Sequence, residues 1–300
     1  MLSAPLDAWR FLRSHPLTSE QPTLALSRYL RWQLGSFLLG QPVAVGFVND
    51  ARLLVRRGMT GATGNIYAGL HEFADMSFAL HALRADELFV DIGANVGSYT
   101  VLAAKAVGAR VICFEPIAAT HAALLDNLRL NAIEARVDAR RACVGSRPGQ
   151  VRMTTALDTV NHVLPDGAAA TPESDIVDCV RLDDALGGAT PRLIKLDVEG
   201  YELEVLRGAE HCLSAPELQA LIMELNASGD RYARPDAELE QIVRRHGFQR
   251  CSYHGLTRRL EPASGASAPG ASNVIFVRDL ARMQERVRSA PAFRVLGREI

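Results

Sequence analysis

The stretch Leu88-Phe89-Val90-Asp91-Ile92-Gly93-Ala94-Asn95-Val96-Gly97 constrains the fold more than any other part of the chain. Its apolar start reads as a buried strand, an acid closes that strand, and two glycines precede a helical pattern that opens at Ser98. Strand, glycine turn and helix N-terminus is the layout with which α/β folds hold nucleotide-like ligands at the carboxyl ends of their strands. Gly93 lets the chain turn with no Cβ in the way, and Gly97 permits close approach at the helix start. A second apolar run, Val111-Ile112-Cys113-Phe114, ends in Glu115, 24 residues beyond Asp91. A carboxylate there is placed to accept hydrogen bonds from a ribose diol.

The spacing selects among nucleotide-like ligands. A dinucleotide fingerprint starting at Gly93 needs glycines where Asn95 and Ser98 stand, and no Gly-Lys-Ser/Thr follows a strand. What is present, D-x-G-x-x-x-G with an acid ending the next strand, resembles the S-adenosyl-L-methionine (SAM) site of class I methyltransferases. SAM carries no phosphate. Its ammonium, sulfonium and ribose suit carboxylates and one glycine turn better than an anion nest.

Composition narrows the partners. The net charge of −1 gives no whole-chain attraction to nucleic acid, and 6% aromatic residues make a poor base-stacking surface. The five cysteines are scattered without C-x-x-C spacing, so they read as small apolar residues of a reducing, cytoplasmic compartment. No run of 18 apolar residues suggests a transmembrane segment, and Pro5, Asp7 and Arg10 break any signal-peptide pattern.

Along the chain, residues 24–39 place Leu26, Leu30, Leu34 and Leu38 at helical spacing, a core or partner-packing face that also offers a homodimer contact. Val43–Val48 and Arg52–Val55 suggest a hairpin, Gly58–Gly64 a flexible loop, and His71–Leu83 a helix. Strands are expected at 88–90, 110–114 and 137–144, with helices between them, the second capped by Thr120. Residues 149–180 interrupt this rhythm. Val151–Thr155 and Asp158–Leu164 look β-like, an inserted hairpin over the site. Strands at 193–196, 218–225, 248–253 and 273–277, a helix at 236–246, a low-complexity hairpin tip at 261–272 and a solvated basic helix complete the pattern. The expected organisation is an N-terminal helical and hairpin extension (1–84), a cofactor domain (85–280) and a C-terminal helix and tail (281–300). The rhythm calls for an α/β sheet, mostly parallel with an antiparallel strand near the edge and helices on both faces.

A second acidic cluster follows the 193–196 strand. Lys195, Asp197 and Glu199 alternate along an extended stretch, so their side chains can share one side at a strand's carboxyl end. The run from Arg192 to Ala209, RLIKLDVEGYELEVLRGA, resembles the FkbM family of SAM-dependent methyltransferases. Asp91–Thr100, Phe114-Glu115-Pro116, Leu182-Asp183-Asp184 and Met223-Glu224 share in the resemblance, which spans roughly residues 88–225. It implies a Rossmann-like class I methyltransferase fold, SAM as cofactor, and O-methylation of a sugar, glycolipid or polysaccharide, or secondary metabolite. By the same resemblance Asp91, Gly93, Asn95 and Gly97 surround the methionine moiety and Glu115-Pro116 the ribose. Val144 stands in the turn that meets the adenine, although Ser146 occupies a position where an acid is usual.

Methyl transfer to a hydroxyl of high pKa benefits from a general base within hydrogen-bond reach. Asp197 and Glu199 are the first candidates; an acid after a strand often caps the next helix, and Glu199 could do only that. His162 in the inserted segment is the third. Tyr67, His71, Glu72, Asn161, Lys195 and Glu224 are candidates for the acceptor pocket. Asp197, Glu224 and Asn226 offer oxygen donors for Mg²⁺, but carboxylate groups without metal are commoner, and the site is read as metal-free. An NAD(P)-dependent oxidoreductase on a similar sheet, or a non-catalytic SAM-binding scaffold, are the rival readings.

Overall fold

Among the described residues, three strands of the central sheet are buried over their whole length: Leu88–Ile92, Leu193–Leu196 and Ala220–Glu224. Strands covered on both faces belong to the middle of a parallel sheet flanked by helices. A computed structural model describes residues 5–157, 161–165, 171–225, 236–263 and 273–300. Asn226 and the tip of the expected hairpin, 264–272, lie outside the described residues.

The chain opens with helices α1 (Pro5–Ser14) and α2 (Pro22–Leu39), strands β1 (Val43–Gly46) and β2 (Arg52–Val55), and helices α3 (Thr60–Ala68) and α4 (Phe73–Ala82). Then come β3 (Leu88–Ile92), α5 (Ser98–Val101, continued by a π-turn over 102–107), β4 (Arg110–Phe114), α6 (Ala118–Asn131) and β5 (Val137–Arg140). Next are β6 (Cys143–Gly145), β7 (Gly149–Thr154), β8 (Ser174–Arg181), α7 (Leu182–Leu186) and β9 (Leu193–Leu196). After α8 (Glu202–Arg207) and α9 (Glu210–Ser214) follow β10 (Ala220–Glu224), α10 (Asp236–Arg245), β11 (Gln249–His254), β12 (Arg259–Pro262) and β13 (Asn273–Val277). Helix α11 (Leu280–Arg288) and the ribbon β14 (Arg294–Val295) and β15 (Arg298–Glu299) end the chain.

The central sheet has the order β12-β11-β13-β10-β9-β3-β4-β5. Strands β10, β9, β3, β4 and β5 run parallel, while β13, β11 and β12 pair antiparallel at one side. Alternation along each strand sends Phe89, Val111 and Ile222 to one face and Val90, Phe114 and Met223 to the other. Helices cover both faces, so the chain has the Rossmann-like architecture of class I methyltransferases. Order along the sheet reverses beside β3, and ligands of open α/β sheets bind at such a switch point.

The structure differs from the sequence reading in several places. Helix α2 buries Ala25, Tyr29 and Trp32, whereas Leu30, Leu34 and Leu38 of the expected stripe are exposed. Most of the supposed loop at 58–64 is the start of α3, because Gly64 leaves room where a Cβ would overlap the His71 ring. The expected strand 137–144 divides, and its second half, β6, joins β8 and β7 in a separate three-stranded sheet. The inserted hairpin is therefore β7 with β8; of the expected strand at 158–164, residues 158–160 lie outside the described residues and Val163 bridges Met153. Helix α6 starts at Ala118, so Thr120 lies inside its first turn and does not cap it. The C-terminal segment is not solvated throughout. Met283 and Val287 are buried, and Val295 bridges Val48.

Candidate active site

Four neighbouring strands, β4, β3, β9 and β10, deliver Glu115, Asp91, Asp197 and Glu224 to the wall of one cavity of about 600 Å³. That is the size of a small-molecule site. Met153 of the inserted sheet closes one side together with Asn161 and Val163 beside it, the turn before α4 contributes His71 and Glu72, and α4 contributes Met76.

The turn after β3 is shaped by backbone. Gly93 has φ +81°, and a Cβ there would overlap the carbonyl oxygen of Asp197. The N–H groups of Gly93 and Ala94 both donate to the Phe114 carbonyl at 3.0 Å, tying this turn to the end of β4. Asn95, at φ +51°, accepts the Val96 N–H on its own Oδ1 at 2.7 Å, the local bond that lets asparagine occupy the left-handed region. Glu115 Oε2 accepts the Asn95 N–H at 3.0 Å and Oε1 the Ile117 N–H at 2.9 Å. Burial pushes this carboxyl up to about 7, against the pull of those two backbone bonds. A carboxylate has about four acceptor positions. Two are used by the fold, and two are open to a ligand. Pro116 and Val144 also line the cavity.

The other half of the cavity is a charge network. Lys195 Nζ lies 2.8 Å from Asp197 Oδ2 and 4.9 Å from the centre of the Tyr99 ring. Tyr99 Oη donates to Glu72 Oε2 at 2.7 Å, and Thr100 Oγ1 to Asp91 Oδ2 at 2.7 Å. Burial alone would push the Lys195 ammonium down, but Asp197, Glu72 and Asp91 outweigh it and hold the group above the ordinary lysine range. Burial raises Asp91, with Lys195 and Thr100 opposing. Glu224 is pushed up to about 10, first by burial and then by the negative charges of Asp197 and Glu199. Glu199 stands at φ +55°, a conformation that costs a non-glycine residue about 1 kcal/mol or more. Oxygens of Asp197, Glu199 and Glu224 lie within 4.8 Å of one another. The ammonium of Lys195 already offsets part of that charge.

Other candidates are placed elsewhere. Tyr67 is not at the cavity: because Thr60–Ala68 is helical, its ring is carried to α2, edge-on to Tyr29 at 5.3 Å. His162 lies outside the lining while Asn161 and Val163 belong to it. The extended segment alternates; the Thr154 N–H donates to the His162 carbonyl and the His162 N–H to Thr154 Oγ1, each at 3.0 Å. Gly97 also lies off the cavity, and a Cβ on it would meet Leu124 of α6. The His71 ring reaches the cavity wall, where its buried Nδ1 has no partner among the described residues and burial lowers its pKa.

Two residues escaped the sequence reading. Tyr99 sits between Lys195 and Glu72, and only its place inside the Asp91–Thr100 motif hinted at a role. Glu202 accepts the N–H groups of Val198 and Gly200 on one oxygen, Oε1, both at 3.2 Å, and so ties down the loop that carries Asp197. An acid just after a glycine turn, at the first helical position, was its signal.

A parallel sheet with a glycine turn after one strand, an acid after the next and a cavity across both is the arrangement with which such folds hold a nucleotide-like ligand. Residues 91–250 match the family profile described as "Methyltransferase FkbM domain", more than half of the chain, and the protein belongs to that family. Its cofactor is SAM. Among curated relatives, the chain is similar to the AMB antimetabolite synthetase AmbE of Pseudomonas aeruginosa, 25% identical over 209 residues, 56% of this chain and 10% of that protein. It is also similar to Methyltransferase 1 of Beauveria bassiana, 27% identical over 162 residues, 46% of this chain and 64% of that protein. The chain thus spans less than two thirds of either relative. Solved structures that resemble it include precorrin-6y C5,15-methyltransferase from Geobacter metallireducens, at 12% identity and TM-score 0.41 over 72% of this chain and 91% of that one. Another is P. horikoshii TYW2 in complex with MeSAdo, at 14% identity and TM-score 0.39 over 86% of each chain. No helix among the described residues is long and apolar enough to cross a membrane.

Proposed function

We propose that the chain methylates a hydroxyl group of a sugar, a glycolipid or polysaccharide, or a glycosylated metabolite, with Asp197 receiving the proton. The observation that carries this reading is the Lys195–Asp197 pair at the carboxyl end of β9, beside the glycine turn after β3. Bound SAM supplies a methyl group already activated on a sulfonium. The chain's own residues then have to hold an oxygen in line and accept its proton. Lys195 engages Oδ2 of Asp197, and Glu224 shares a side-chain hydrogen bond with the same carboxylate, a bond that an acceptor hydroxyl would displace. Glu224, raised to about 10, keeps its proton at neutral pH and acts as a hydrogen-bond donor to an acceptor oxygen rather than as a base. His71, kept neutral by burial, and Asn161 add polar groups along the wall. A pocket rich in carboxyls and polar groups suits a polyhydroxylated acceptor and repels phosphates, which argues against a nucleic acid. The five cysteines are free and buried, which supports a cytoplasmic setting.

The test is a screen of glycosides and lipid-linked sugars with methyl-labelled SAM, alongside calorimetric SAM binding. Asp197→Asn is expected to lower turnover about 100-fold or more with SAM affinity little changed. Full turnover in that variant removes Asp197 as the base. Wild-type protein that binds SAM and labels no hydroxyl in the screen favours the non-catalytic scaffold.

A further inference from the structure

Helix α2 is apolar on two opposite faces. One face buries Ala25, Tyr29 and Trp32. The other carries Leu30, Leu34, Phe37 and Leu38, which are 53–70% exposed. Of the nine large apolar side chains that are exposed among the described residues, six belong to α1 and α2. That clustering separates them from the scattered apolar residues of any surface and marks an interaction site. An apolar helix face that the fold leaves exposed is one for something else to cover.

The rim of the patch says what covers it. Residues 1–60 contain seven arginines and no lysine against three acids, Asp7, Glu20 and Asp50, a balance of +4 within a chain of net charge −1. Arg31 of α2 and the adjacent Arg56 and Arg57 are exposed, and the Arg57 guanidinium lies 5.6 Å from the centre of the Phe37 ring. Leucine and phenylalanine flanked by arginine is the chemistry of a helix lying in the headgroup region of an anionic bilayer. A second copy fits less well, because a two-fold contact brings the same arginines face to face.

We infer that α2, with Arg56 and Arg57, is a docking surface for an anionic lipid bilayer, on which the helix lies flat without crossing it. Eighteen residues give the helix a length of about 27 Å along the membrane plane. Tyr29 of α2 packs on Tyr67 of α3, and Gly61 of α3 lines the cavity, so one helix separates the bilayer from the site. This goes beyond the methyl-transfer reading and favours its lipid-linked acceptors.

Vesicle sedimentation tests it on the full chain, with SAM calorimetry on the same preparations as an independent check of the cofactor site. Binding is expected to vesicles of phosphatidylcholine with about 30% phosphatidylglycerol, and to be at least ~10-fold weaker with phosphatidylcholine alone or at high salt. Leu34→Asp with Phe37→Asp, and separately Arg31→Glu with Arg56→Glu and Arg57→Glu, should each lower binding about 10-fold or more while SAM affinity and melting temperature stay unchanged. If the aspartate pair does not fold, Leu34→Gln with Leu38→Gln and the salt series on wild-type protein carry the test. Wild-type protein that ignores anionic vesicles overturns the inference, as does binding that survives both sets of substitutions. So does a dimer in sedimentation velocity that dissociates in Leu34→Asp/Phe37→Asp without any vesicle binding, which gives the face to a second copy. So too does saturable binding of an acidic protein to this face with no vesicle binding.

Discussion

The carbonyl oxygen of Asp197 occupies the space that a Cβ on residue 93 would need. Asp197 in turn donates its N–H to the Ile92 carbonyl at 3.1 Å, so the cofactor turn and the acid loop form one contact between adjacent strands. Gly93→Ala brings both left-handed strain and a collision with backbone, which cannot rotate away as a side chain can. The expected result is about 1–3 kcal/mol less stability in urea melts and at least tenfold weaker SAM binding by calorimetry. Gly97→Ala shares the strain but meets only the flexible Leu124 side chain, so its SAM affinity should fall far less.

Two substitutions separate the bonds that Glu115 makes to the turn from the diol contact proposed for it. Glu115→Ala leaves the Asn95 and Ile117 N–H groups without their acceptor, at about 1–3 kcal/mol for each buried donor, and removes the proposed diol partner as well. Glu115→Gln keeps one carbonyl acceptor. SAM affinity is expected to drop about 100-fold or more in the alanine variant and less in the glutamine variant. Equal losses in both would mean that the carboxylate charge itself, and not its bonds to the turn, decides cofactor binding.

The parallel sheet and its switch point were legible because both rest on local pattern: apolar runs ended by Asp91, Glu115 and Asp197, with glycine where the chain turns. The partner of β7 was not legible. Its strand, β8, contains only Ile176, Val177, Cys179 and Val180 among polar residues, and its pairing is set by the small separate sheet, a long-range contact that periodicity does not encode. The buried side of α2 was not legible for a related reason. Period alone shows where leucines align, and Tyr29 and Trp32, the larger rings, are the residues the fold buries. At the site, the resemblance pointed to the acids, but side-chain direction decided the rest. It turned Tyr67 and His162 away and brought Tyr99 onto Lys195.

Glu202 links the acid loop to pH. Burial raises its carboxyl from the ordinary value of 4.5 to about 7. The folded state therefore holds the proton more tightly than the unfolded chain. Its contribution to stability is complete below about 4.5 and is lost as pH rises through 7. Glu202→Gln keeps an oxygen for the Val198 and Gly200 N–H groups and removes the titration. Relative to wild type, this variant should gain on the order of 2–3 kcal/mol at pH 8 and nothing at pH 4.5, read from urea melts. Glu115 titrates over the same range, so the wild-type slope should shrink in the variant without vanishing.

Lys195 is the cation on which the acids of the cavity depend. Its side chain is 5% exposed, it pairs with Asp197 and lies over the Tyr99 ring, and the charges of Glu72 and Asp91 help to hold its proton. Lys195→Met fits the apolar stem but strands Asp197 beside Asp91 with no counter-charge, a loss of about 3–5 kcal/mol by the pattern of broken buried pairs. Removing the second charge should then recover stability. Lys195→Met with Asp197→Asn is expected to be more stable than Lys195→Met alone, with a coupling between the two sites of at least ~1 kcal/mol in a double-mutant cycle of urea melts. If the two losses simply add, Asp197 is solvated well enough at its cavity face to do without the ammonium. In that case Lys195 serves Asp91 and Glu72, and the place to look for its effect is the Tyr99–Glu72 hydrogen bond.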